Sequence, residues 1–313
     1  MRVMAIGTGV LALGAAALAQ DQEEQRFFPD EPGWAERFAV DVQGTPLGSL
    51  EAVPPTPRPE GAHRYQVTFK GEVAGFDMGR VFLDVAVAPN AYDLTYRMEQ
   101  RGVARFFSDG SARARAAGTF EGRAIDGSYY YNHDFESEDD QQRVELYRPQ
   151  GERRFRLWTE PEYWFYEPVT EDMALGATDP MGALVALAFV PGTPGKNPCD
   201  RYAAVYDGRK RFDLRLRPEG AVQLKRGGKG RYEGEAYACT MSYTKIAGYR
   251  PKDRDDVEGE VTVYLAPVPA RHRTATLAYV PVRVTARQGL FGASLEAKYP
   301  KITAPDGTVT ELY

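Results

Sequence analysis

Between residues 63 and 100, apolar and polar side chains alternate with a period of two. Tyr65, Val67 and Phe69 are separated by Gln66, Thr68 and Lys70, and Val81, Leu83, Val85 and Val87 line one face of the next run. Tyr92, Leu94, Tyr96 and Met98 then alternate with Asp93, Thr95, Arg97 and Glu99. Successive side chains of a strand point to opposite faces, so each run reads as a half-buried β-strand. Gly75-Phe76-Asp77-Met78-Gly79 is expected as the turn between the first two. Further strands are expected at 103–107, 112–121, 127–134, 142–148, 153–158 and 162–167. After a helix they resume at 201–207, 210–217, 221–226, 231–243, 259–266, 275–287 and 291–299. Asp109-Gly110, Asp126-Gly127, Asp207-Gly208 and the 226–230 glycine run supply turn chemistry between them. The expected fold is mostly β: a long, curved antiparallel meander, half-barrel-like, enclosing one apolar helix at about 179–189.

That helix has a clear start and stop. Asp179 is a capping residue, Pro180 suits the first helical position, and Pro191-Gly192 ends the segment. Met181, Leu184, Val185, Ala188 and Phe189 form one face, and Gly182, Ala183, Ala186 and Leu187 form the other, with no polar residue on either. A helix apolar all round is buried on more than one side. It therefore belongs in the concavity of the sheet.

The ends of the chain read differently. Arg2, the apolar run Ile6 to Leu18 and Ala17-Leu18-Ala19 have the order of an export signal, with cleavage expected after Ala19. A retained N-terminal anchor is the alternative, although the run is short for a membrane span. Residues 20–61 form an acidic, Pro-rich tether in which Phe27, Phe28, Trp34 and Phe38 are apolar interruptions. Residues 62–313 are expected as one β-rich domain. The net charge of −5 matches the balance of residues 21–41 alone, seven acids against Arg26 and Arg37, so the remainder is nearly neutral. No basic surplus exists to meet a phosphate backbone, and nucleic acid is excluded as a partner.

Export changes the meaning of the two cysteines. In an oxidising compartment Cys199 and Cys239 most simply form one structural disulfide, with two free thiols as the alternative. Cys199, Tyr206-Asp207-Gly208-Arg209, Phe212-Asp213-Leu214, Cys239, Tyr243 and Ile246-Ala247-Gly248 together resemble a family of bacterial exported proteins, domain of unknown function 3108. The Asp179 helix and the strand Val280-Pro281-Val282-Arg283-Val284 sit where that family would place them. The resemblance implies a β-rich periplasmic or envelope protein and transfers no catalytic residue. The architecture also resembles half-barrel lipoprotein carriers, at the level of fold alone.

Searches for chemistry return little. His63, His133 and His272 lie in polar or turn-like settings and read as surface residues; no Gly-x-Ser-x-Gly elbow or P-loop is present. The acidic runs 134–140 and 253–258 lack calcium-loop spacing and read as solvated hairpin tips. No metal, cofactor or catalytic set is expected. The expected ligand groove is Trp164, Tyr166, Phe189 and Phe212, with Asp207, Arg209 and Asp213 as an ion-pair network or a polar site at its mouth. The sequence points to a non-catalytic binder of an apolar, lipid-like or amphipathic ligand, or of a cell-envelope protein. An envelope glycan or ester hydrolase working through carboxylates, and a purely structural scaffold, are the alternatives.

Overall fold

The structure, a computed structural model, describes residues 59–100, 110–121, 124–135, 141–148, 155–160, 169–190, 197–225, 227–250, 260–288 and 291–313. The strands expected at 103–107 and 162–167 lie outside these residues, as do the export signal and nearly all of the tether.

Seven strands come first: β1 (His63–Val73), β2 (Phe76–Val87), β3 (Ala91–Gln100), β4 (Ser111–Glu121), β5 (Ala124–Phe135), β6 (Gln141–Tyr147) and β7 (Arg156–Glu160). Two helices follow, the single turn α1 (Glu171–Ala174) and α2 (Pro180–Ala188). Seven more strands complete the chain: β8 (Arg201–Tyr206), β9 (Arg211–Leu224), β10 (Gly234–Ala247), β11 (Glu260–Pro267), β12 (Tyr279–Gln288), β13 (Phe291–Thr303) and β14 (Val309–Glu311). All belong to one antiparallel sheet, ordered β7-β6-β5-β4-β3-β2-β1-β13-β12-β11-β10-β9-β8, with β14 paired to β13. Every neighbour pair is a sequential hairpin except β1–β13, which joins the first strand to the last long one. Among the described residues the sheet is open, with β7 and β8 as its edge strands.

The alternation translates directly into burial. On β3 the inward residues Tyr92, Leu94, Tyr96 and Met98 are all buried, in register with Gly118, Ala116, Ala114 and Ala112 of β4. Those small residues leave depth on the inner face, and α2 packs there. It contacts β4 and β5 from one half of the meander and β8 and β12 from the other. Asp179 caps it as expected, its Oδ1 accepting from the backbone N–H groups of Met181 (2.9 Å) and Gly182 (2.8 Å). At the other end the buried Arg201 donates to the carbonyl of Ala186 (3.0 Å), and Ala278 N–H to that of Phe189 (2.9 Å). Met181, Ala183, Val185, Leu187 and Ala188 are buried, so the helix is covered over much more than a single stripe.

Three expectations are corrected. The first hairpin turns at Ala74-Gly75, both at positive φ, and Phe76 to Gly79 already belong to β2. The strands expected at 210–217 and 221–226 run together as β9, because Gly220 at φ +142° keeps the ladder with β10 going past Pro218. His133 and His272 are not surface residues: both are buried, His133 on β5 and His272 in a 3-10 turn. His272 is held by Thr310 of β14 (2.5 Å) and lies edge-on to His63, ring centroids 5.7 Å apart.

Candidate functional site

The inner face has two ends. One carries α2: Tyr65, Val85, Leu94, Leu146, Leu265 and Ile302 are wholly buried there, and Phe189 meets Tyr65 edge-on at 5.7 Å. The other end, toward the β1–β2 turn, has no helix over it among the described residues. Along β3 exposure climbs from nothing at Leu94 to 5% at Tyr96 and 8% at Met98. Along β11 it climbs from nothing at Leu265 to 8% at Val263. The same direction holds on β13, where Leu295 reaches 9% against none at Ile302, and on β12 from Val280 to Ala286. Val67, Phe69, Val81 and Leu83, each at 4–5% exposure, complete this apolar surface.

A polar group interrupts that surface. Register places Tyr96, Ala114 and Asn132 side by side across β3, β4 and β5, with Met98, Ala112 and Asp134 in the next row. Asn132 Nδ2 donates to Asp134 Oδ2 at 2.9 Å. Desolvation pushes the Asp134 carboxyl up to about 7, against the opposing pull of that hydrogen bond and of Arg209. Tyr96 Oη, Asn132 Oδ1 and Asp134 Oδ1 are buried without a hydrogen-bond partner. Sequence reading assigned Asp134 to a solvated tip; it stands instead on the inner face of β5. The signal was available in the alternation of β5, where Tyr130, Asn132 and Asp134 share a face with Leu146, Val144 and Gln142 of β6.

The expected site residues separate. Phe189 ends α2 and Phe212 stacks on Tyr243 at 4.6 Å; both are core residues, at 0% and 2% exposure. Trp164 and Tyr166 lie outside the described residues. Asp207 organises the β8–β9 turn, accepting from the N–H groups of Arg209 (2.8 Å) and Lys210 (2.6 Å). The buried Arg209 side chain reaches across to Gln142 of β6. Asp213 is not part of that group; it pairs with Arg211 at 2.5 Å on β9. Cys199 and Cys239 are bonded, with Cα atoms 5.3 Å apart.

Two other buried acids stand in different places. Glu145, pushed up to about 7 by burial, accepts from Tyr129 Oη (3.2 Å) and sits in register with Tyr131, on the face of β5–β6 opposite Asp134. Asp179, pushed up to about 6, is committed to the helix cap. No group of three or more His, Cys, Asp or Glu able to hold a metal occurs among the described residues. No helix among them is long and apolar enough to cross a membrane.

A mostly β chain, bonded by one disulfide and with an apolar inner face, is thus the class that the geometry defines. The chain belongs to a family described as protein of unknown function (DUF3108), whose family model matches residues 64–297. Among solved structures it is similar to a beta-barrel-like protein of domain of unknown function DUF1849 from Brucella abortus, at 10% identity and TM-score 0.45, over 79% of this chain and 99% of that one. It is also similar to a putative lipoprotein from Parabacteroides distasonis, at 10% identity and TM-score 0.27, over 78% and 97%. Neither likeness is close enough to transfer a site or a role. No curated protein matches the sequence.

Proposed function

We propose that this is an exported protein that binds an apolar or amphipathic ligand against the end of the inner face that α2 leaves uncovered. The observation that carries the reading is the rise in exposure of inward apolar residues along β3, β11 and β13, from none at Leu94, Leu265 and Ile302 to 8–9% at Met98, Val263 and Leu295. Apolar concavities with a few polar groups are the usual form of small-molecule sites. The disulfide supports export, because such bonds persist in oxidising compartments. Among the described residues the acids with raised pKa values, Asp134, Glu145 and Asp179, occupy three separate settings, which does not favour the paired-carboxylate hydrolase.

The test is binding of an environment-sensitive fatty probe to the purified protein, with native mass spectrometry of the untreated protein alongside. Probe binding, or a retained lipid-sized mass, is expected. Leu295→Arg and Val263→Asp should each remove the binding while the circular dichroism spectrum stays that of the wild type. Protein that binds no probe and retains no mass would overturn the reading.

A further inference from the structure

The polar group on the inner face says something about the ligand's other end. We infer that Tyr96, Asn132 and Asp134 form a headgroup niche that recognises the hydroxyl groups of a neutral amphipathic ligand, its hydrocarbon chain lying along Phe69, Val81 and Met98. This rests on the binding reading above and narrows it.

The niche has an alanine floor. Ala114 separates Tyr96 from Asn132 in one row, and Ala112 separates Met98 from Asp134 in the next. A side chain longer than a methyl at either position would fill the space between the polar groups. Tyr96 and Asn132 are only 5% and 6% exposed. Buried polar atoms in folded proteins nearly always have partners. Here three lack one within the described residues: Tyr96 Oη, Asn132 Oδ1 and Asp134 Oδ1. The internal bond is already made, since Asn132 Nδ2 donates to Asp134 Oδ2. What remains is acceptor-rich: an amide oxygen, a carboxyl oxygen and a phenol that can act either way.

An acceptor-rich niche calls for donors. A fatty carboxylate offers none and would meet the Asp134 carboxyl. An ammonium offers donors, but its charge would meet the Arg209 guanidinium as well as the carboxyls of Asp134 and Asp207. Alcohol groups donate and accept without charge. A lipid with a glycerol or similar polyol head meets all three conditions, and Met98, in Asp134's own row, begins the apolar surface for its chain.

Three twelve-carbon probes decide it at pH 8: dodecanoylglycerol, methyl dodecanoate and dodecanoate, each measured by displacement of the fatty probe. Dodecanoylglycerol is expected to bind about ten-fold more tightly than the other two, the effect of one or two net hydrogen bonds. Tyr96→Phe should lose roughly half of that preference on a logarithmic scale, and Tyr96→Phe with Asn132→Leu should lose most of it, Asp134 remaining. Affinity for methyl dodecanoate should stay the same in both. Equal binding of all three probes, or a preference that survives the double variant undiminished, overturns the niche and leaves the apolar site standing. Failure of every probe to bind overturns both. If the double variant does not fold, Tyr96→Phe alone, which removes a single oxygen, gives the reading.

Discussion

Asp179 holds the plug helix to the sheet through a carboxyl that sees no solvent. One oxygen closes the first turn of α2; the other lies with Tyr92 Oη and Thr178 Oγ1 against Gly127 and Gly182. A methyl on Gly182 would come within 2.3 Å of Thr178 Oγ1 and 2.8 Å of Tyr92 Oη. Gly182→Ala should therefore destabilise by roughly 1–3 kcal/mol through overpacking, although alanine is the better helix former. Asp179→Ala should lose about 1–2 kcal/mol with the cap, and Asp179→Asn much less; thermal melts distinguish them. Asp134 gives a pH-dependent case. Its carboxyl titrates near 7 when folded and near the ordinary carboxylate value when unfolded, so the unfolded chain releases its proton first as pH rises. Its contribution is full below about pH 4 and is lost as pH passes 7. Asp134→Asn should match wild-type melting at pH 4 and exceed it by several degrees at pH 8; equal melting at both would refute the buried carboxyl.

At the scale of elements, the disulfide ties the start of edge strand β8 to β10 across β9. It crosses where Pro218 faces Cys239 beside a bulge, and where proline can give the ladder no N–H. Closing a separation of 40 residues stabilises by about 4 kcal/mol on chain-entropy grounds. Cys199→Ser should lower the melting temperature by on the order of 10 °C and change mobility on non-reducing gels. The strands and α2 were legible because period-two alternation and a capped apolar run are local signals. The polar niche was not, because it depends on which rows of β3, β4 and β5 stand side by side. Asp134 begins a run of acids in the sequence and looks solvated until pairing puts it over Ala112. The buried histidines were missed for the same reason: His272 is enclosed by β14, a three-residue strand with no periodicity to announce it. Phe189 and Phe212 were read as a groove because they are large and apolar, and packing absorbed them.

Over the whole molecule, the two wings of the sheet meet without a ladder between β7 and β8. The β8–β9 turn provides the contact instead. Gly208, at φ +93°, sits so close to β6 and β7 that a methyl there would lie 2.6 Å from Val144 Cγ1 and 2.9 Å from Leu157 Cδ1. Beside it Arg209 bonds Gln142. Gly208→Ala should cost roughly 1–3 kcal/mol and, by hydrogen exchange, loosen β6 to β8 while β1 and β2 keep their protection. Unchanged exchange at β6 would show that the turn does not close the wings.

The strand order also governs how such a chain assembles. All ladders but one join sequence neighbours, and β1 with β13 is the exception that links the two wings. Local pairings form early because little loop entropy opposes them, whereas that one must wait for most of the polypeptide. Each wing is then a meander able to form before its partner exists, exposing an apolar face until the central zip and α2 arrive. A chain with Thr68→Pro, which removes an N–H from β1 in the zip region, should accumulate a compact species with one wing protected in pulsed hydrogen exchange.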